Sequence, residues 1–304
     1  MSCRVSPRCE FRRIVSSVPI TLPADSPPTF FGVDTGNVLR FPLAAVALFL
    51  WLRLSGSPLG LRREHVPGIA LISFFGMFLF MVLFNVGLSL TTASNAGIFL
   101  GAIPLIITVT SLARGMDRPE PRLIAGILLG LTGVVLVNGQ TGVFEFNRGD
   151  LLVLASGFCW AIYAVWGERY LEIYPPMLAT AWILLFLSLF YFPLMLLDLP
   201  RQSWGDVSFA NWGNLAYSAF GAVLIANTLY YAAIRHIGPS RSGIYINLEP
   251  VFTLLLAFFL RGEQITPFQV IGLAVVIAGV VLARAKSGEG EPGAAIGSGP
   301  QSLP

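Results

Sequence analysis

A chain of 304 residues has room for two soluble domains, but 55% hydrophobic residues against 12% charged ones, at a mean hydropathy of +0.74, leave too little polar surface to keep it in water. Its net charge of +3 is scattered through short loops, which excludes a nucleic-acid face. Cys3, Cys9 and Cys159 form no CxxC pair and have no histidine at metal-ligand spacing, so neither a disulfide framework nor a metal site is expected, and no cofactor is called for.

Residues 1–35 read as an atypical polar leader. Ile14 to Ala24 follows Arg4, Arg8, Arg12 and Arg13 as a signal peptide would, but Ser16, Ser17, Pro19 and Thr21 break its apolar core. Crossing the hydrocarbon takes about 20 mostly apolar residues. Nine stretches approach that: Val38 to Leu54, Val66 to Leu88, Thr92 to Leu112, Leu123 to Val137, Leu151 to Trp166, Met177 to Leu197, Trp212 to Ala233, Ser242 to Leu260 and Phe268 to Ala283. The first carries Arg40 near its start and is uninterruptedly apolar only from Phe41 to Leu52. Residues 139–149 form a Gly-rich polar linker, and the Gly, Pro, Ser and Glu of residues 286–304 predict a disordered tail. One set of alternate loops holds Arg53, Arg62, Arg63, Arg114, Arg118, Arg122, Arg169, Arg235, Arg241, Arg284 and Lys286, the other only Arg148, Arg201 and Arg261. Basic loops stay in the cytoplasm, which predicts a cytoplasmic C-terminus in a multi-pass inner-membrane protein.

The chain also repeats itself. Residues 84 to 136 lie over 230 to 282 without a gap at an offset of 146, matching Ser94 with Ser240, Gly97 with Gly243, Pro104 with Pro250, Pro121 with Pro267, Gly126 with Gly272 and Gly133 with Gly279. The counterpart of Leu151 to Trp166 would fall near residues 5 to 20, which read VSPRCEFRRIVSSVPI and cannot span a bilayer. The expectation is therefore an all-α polytopic protein of two inverted repeats, four helices in residues 36–138 and five in 150–285, related by a pseudo-two-fold axis in the membrane plane. Nine helices with a cytoplasmic C-terminus put the four leader arginines outside, so the leader reads as foreign to the repeat plan.

With GDLLVLASGFCWAIYAVWGERY opening the second half, GPSRSGIYINLEPVF from Gly238 to Phe252, RGEQITPFQVIGLAVVIAGVVLAR after it and the first-half echo TTASNAGIFLGAIPLI, the chain resembles the EamA family of the drug/metabolite transporter superfamily over about residues 36 to 285. That resemblance implies ten helices in two five-helix repeats of opposite orientation, and export of small metabolites such as amino acids. The absent opening helix departs from the pattern.

Glu249 is the one carboxylate well inside a predicted span, beside Pro250, which removes a helix hydrogen bond and opens the backbone as Pro104 does in the first half. It reads either as a helix-pinning hydrogen-bond partner or as a proton-coupling or substrate group, and its first-half counterpart is Ile103. Asn227 and Tyr231 share a helix face, as do Trp160 and Tyr163, and Asn247 lies two residues before Glu249. All five are candidates for holding an amphipathic solute, with interhelical hydrogen bonds and aromatic packing as the alternative. Gly97/Gly101 and Gly126/Gly130 have GxxxG spacing, read as intramolecular packing with a homodimer face as the alternative. Arg40 is expected to snorkel to the interface or pair with Asp34.

No HExxH, GxSxG or P-loop signature occurs, so an enzyme is disfavoured. The expected function is export of a small metabolite or amino acid by alternating access coupled to an ion gradient, the partners being that solute and the lipid bilayer, with no nucleic acid. The rivals are a truncated, non-transporting scaffold and a nucleotide-sugar or sugar-phosphate carrier, which should need several intramembrane Lys or Arg where the spans offer only Arg40.

Overall fold

The computed structural model describes residues 33–116, 120–138, 146–198, 209–261 and 266–284. The leader before residue 33, residues 139–145 of the linker and the tail from residue 285 lie outside the described residues. Every regular element among the described residues is helical. In chain order these are α1 (Val33–Leu54), α2 (Arg63–Leu90), α3 in two pieces (Ala93–Gly101 and Ile103–Ala113), α4 (Pro121–Asn138), α5 (Arg148–Leu171) and α6 (Pro176–Asp198). Then come α7 (Phe209–Tyr217, Ser218–Ile225 and Ala226–Ile237), α8 (Pro239–Gly243, Ile244–Leu248 and Glu249–Arg261) and α9 (Pro267–Arg284).

Six of these, α2 to α7, are long and apolar enough to cross a membrane. Of the others, α8 is interrupted, α9 is a shorter apolar helix and α1 carries Arg40 and Arg53. Along α1, Phe41, Ala44, Ala45, Leu48 and Leu52 are buried at helical spacing, whereas Leu43, Val46, Leu50 and Trp51 on the other side are exposed. In water that outer face would be a liability; in lipid it is the ordinary solvent contact.

The closest helix pair shows how the halves are related. A Cβ on Gly126 would stand 2.5 Å from the Gly279 carbonyl oxygen, and one on Gly133 would stand 2.7 Å from the Gly272 oxygen. Positions 272 and 279 are 126 and 133 shifted by 146, so exchanging the halves maps this contact set onto itself, the signature of a two-fold relation. Position 126 meets 279 while 133 meets 272, so α4 and α9 run antiparallel. Equivalent helices of a repeat can do so only when the axis lies across them, so the repeats are inverted. The α1 and α6 pair agrees: Phe41 packs on Tyr191 at 5.5 Å and Phe49 on Trp182 at 5.4 Å, again antiparallel.

Two further features obey the same register. α2 widens into i→i+5 hydrogen bonding over Ser73–Phe78, where the Leu79 N–H donates to the Phe74 carbonyl, and α7 does so over Ser218–Ile225. α3 is interrupted at Ala102, with Pro104 just inside the next piece; α8 tightens over Ile244–Leu248, with Pro250 just inside its last piece. Proline lacks the N–H that a continuing helix needs and crowds the preceding carbonyl, but is accommodated in a first turn. Each proline therefore restarts its helix after a break.

A cavity at the helix breaks

Between α3, α4, α8 and α9 lies a cavity of about 360 Å³. Its polar lining consists of Ser94, Asn138, Asn247, Glu249, Thr253 and Gln269. Ser94 starts α3, Asn138 ends α4 and Gln269 starts α9, so the cavity reaches from that end of the bundle to the breaks. Beyond the breaks the bundle is closed. Leu123, Ile127, Ile244, Val280 and Ala283 pack together there, and Arg241 donates to Glu120 Oε1 at 2.6 Å, joining the start of α8 to the residue before α4.

Two lining groups are chemically unsettled. Asn247 is 1% exposed, yet among the described residues neither its amide nitrogen nor its amide oxygen has a hydrogen-bond partner. Such a group forfeits about 1–3 kcal/mol relative to a satisfied one. Gly130 makes room for it, since a Cβ there would stand 2.8 Å from Asn247 Nδ2. Glu249 makes no hydrogen bond or ion pair among the described residues, and its side chain is exposed to the cavity. The helix-pinning bond weighed for Glu249 is thus absent from this structure.

The pseudo-symmetry sharpens the point. Glu249 and Thr253 correspond to Ile103 and Ile107, which are 3% and 0% exposed and belong to the core. Of the two equivalent positions, one is filled by apolar side chains and the other is an open, polar cavity. Sequence reasoning missed Ser94, Asn138, Thr253 and Gln269. For Thr253 the signal is present in the repeat register, as a polar residue over Ile107; Asn138 and Gln269 look like ordinary helix ends, and Gln269 indeed accepts from the Thr266 N–H at 2.9 Å.

The other candidates gather elsewhere. Tyr163 Oη donates to Asn227 Oδ1 at 3.2 Å, Asn227 Nδ2 donates to the Val223 carbonyl at 2.8 Å, and Tyr231 Oη donates to the Tyr163 carbonyl at 3.2 Å. The Tyr163 and Tyr231 rings stack at 4.6 Å, Trp160 lies 5.2 Å from Tyr163, and both tyrosines are fully buried. This cluster joins α5 to α7 and does not line the cavity of Glu249 and Asn247. The six candidates therefore form two groups, because helical spacing names a shared face but not the neighbour it meets.

Arg40 does not snorkel. Its guanidinium turns inward, Nη1 donating to Ser218 Oγ at 3.2 Å, with Nη2 4.0 Å from the Met81 sulfur and the head over the Phe41 ring. Both GxxxG pairs pack within the chain: Gly97 on Asn138, Gly101 on Val134, Gly126 on Gly279 and Gly130 on Asn247. Asp150, fully buried, ties the halves together. It caps α5 with Asn147, accepts from Thr91 Oγ1 and takes a 3.4 Å bond from Asn95 Nδ2. Among the described residues no cluster of His, Cys, Asp and Glu could hold a metal ion.

The model of the EamA-like transporter family matches residues 27–139 and again 147–285. An uncharacterized transporter of Archaeoglobus fulgidus is 30% identical over 263 residues, covering 81% of this chain and 86% of that protein. The uncharacterized transporter YyaM of Bacillus subtilis is 28% identical over 260 residues, covering 84% and 85%. The uncharacterized inner membrane transporter YedA of Escherichia coli K12 is 26% identical over 258 residues, covering 80% and 79%. A solved crystal structure superposes with a TM-score of 0.73 over 90% of this chain and 95% of its own, at 21% identity, a likeness of fold alone.

Proposed function

Because the chain belongs to the EamA-like transporter family and is a multi-pass membrane transporter, we propose that it exports a small metabolite or amino acid by alternating access, driven by an ion gradient. The observation that carries this reading is the unpartnered carboxylate of Glu249, facing a cavity bounded by two interrupted helices at only one of two pseudo-equivalent positions. A carboxylate held at membrane depth without a fixed partner is free to exchange a proton or a solute as its surroundings change. Broken helices at a repeat interface are where such exchange occurs in transporters built of inverted repeats.

The excess of basic residues on one set of loops supports a cytoplasmic C-terminus. The cavity then faces outward, and the apolar plug with the Arg241–Glu120 pair closes the cytoplasmic side. Rocking one half against the other about the α4–α9 seam would exchange these ends. Among the described residues no Lys, Arg or His lines the cavity, so nothing in this lining favours a phosphate-bearing solute.

The test is flux in proteoliposomes holding the full chain, with a labelled amino-acid and amine panel and an imposed proton gradient. Wild type should accumulate at least one of these solutes against its own gradient, and Glu249→Gln, at equal incorporation, should lose that accumulation. Accumulation by Glu249→Gln at the wild-type rate would remove Glu249 from coupling, and no accumulation by wild type would overturn gradient-driven transport.

A further inference from the structure

We infer that the cavity is a site for a solute carrying a protonated amine, a class narrower than the metabolites and amino acids of the proposed function, on which this inference rests. The lining complements such a solute in charge and in hydrogen bonding. Among the described residues Glu249 is the only charged side chain in the lining, and no basic side chain of these residues neutralises it. Beside it Asn247 presents both a donor and an acceptor, buried and unsatisfied. An ammonium group supplies donors for a carboxylate and for an amide oxygen at once. Such a ligand supplies, in a single group, a charge partner for Glu249 and a donor for the Asn247 oxygen, while the Asn247 nitrogen is left to donate to a further polar atom of the solute. The buried Asn247 amide, which costs stability when the cavity is empty, and the exposed Glu249 carboxylate both become favourable contacts when the cavity is filled.

The rest of the lining selects for what the amine carries. Leu100, Val134, Val137, Ile246 and Leu254 give one wall an apolar character, and Ser94 and Thr253 offer only hydroxyls. A volume of about 360 Å³ admits a solute of amino-acid size or somewhat larger. The carboxylate of a zwitterion finds no Lys, Arg or His among the described residues of this lining. The expected order of affinity is therefore cation over zwitterion over anion. The pseudo-equivalent position carries no such site, since Ile103 and Ile107 occupy it.

The order can be read from a charge series on one carbon skeleton: 3-methylbutylamine, L-leucine and 4-methylpentanoate, titrated at neutral pH into the purified full chain in detergent. Wild type should bind the amine at least about tenfold more tightly than the carboxylate, with leucine between, as expected for one charge-assisted contact. Glu249→Gln should abolish the preference for the amine, whereas Asn247→Ala should weaken all three ligands. Equal or tighter binding of 4-methylpentanoate to wild type, a preference that survives Glu249→Gln, or no binding of any of the three would overturn the inference. The wild-type series needs no variant to fold. Binding in the expected order without gradient-driven flux would leave the ligand class standing and remove the transport reading. Flux of amino acids without a charge preference would do the reverse.

Discussion

At the level of single residues, Asn247 is where the proposed ligand site meets stability. A buried amide without partners is kept at a cost, and the structure shows no packing reason for it, since Gly130 opposite leaves the space the amide occupies. Asn247→Leu, of similar shape and with nothing to satisfy, should therefore raise the melting temperature of the empty protein, corresponding to about 1–3 kcal/mol. The same variant should bind the amine less tightly than wild type. A thermal melt in detergent with and without ligand reads both effects, and a fall in stability of the empty protein would mean that Asn247 has a structural role. Of the site itself, Glu249 and Asn247 were legible in the sequence because a carboxylate and an amide stand out in an apolar span. Thr253 was legible only through the repeat register, as a polar residue over Ile107. The tyrosines, Trp160 and Asn227 were legible as polar or amphipathic residues on shared faces, but nothing local says that α5 and α7 satisfy them against each other.

Among the elements, α4 and α9 form the seam on which any rocking must turn. Their backbones touch through Gly126, Gly133, Gly272 and Gly279, and a new Cβ at Gly126 or Gly279 would first meet the other's carbonyl oxygen, which cannot move aside as a side chain can. Gly126→Ala and Gly279→Ala should each destabilise by about 1–3 kcal/mol, the usual effect of overpacking. Gly213→Ala in α7, where nothing lies within 4 Å, should be neutral or slightly stabilising. Unfolding in a denaturant series separates the two groups, and equal effects at all three sites would contradict the close seam. The gap-free register made legible which glycines correspond, but not that α4 meets α9, since a correspondence at an offset of 146 does not say which helices touch. The wide turns of α2 and α7 were not legible, since hydropathy is the same for a four-residue and a five-residue hydrogen-bond step. The inward turn of Arg40 was not either, because it depends on Ser218 and Met81, remote in sequence. The structure also shows what the repeat implies for α7. On α2, Gly76 and Phe80 are buried against α5, whereas their counterparts Ala222 and Ala226 are exposed, with Ile225 and Leu229 beside them.

For the whole molecule, the proposed transport cycle needs one cavity reached alternately from the two sides of the membrane. The structure holds that cavity open at the end where α3 and α9 begin and closed at the end where Arg241 meets Glu120. Thr253 is exposed in the cavity and carries no charge, so a cysteine there reports access without disturbing Glu249. With Cys3, Cys9 and Cys159 replaced, Thr253→Cys should react with a membrane-impermeant thiol reagent in right-side-out vesicles and also in inverted ones, and an amine ligand should change both rates. Labelling from one side only, whatever the ligand or gradient, would contradict alternating access and leave the cavity a fixed pocket.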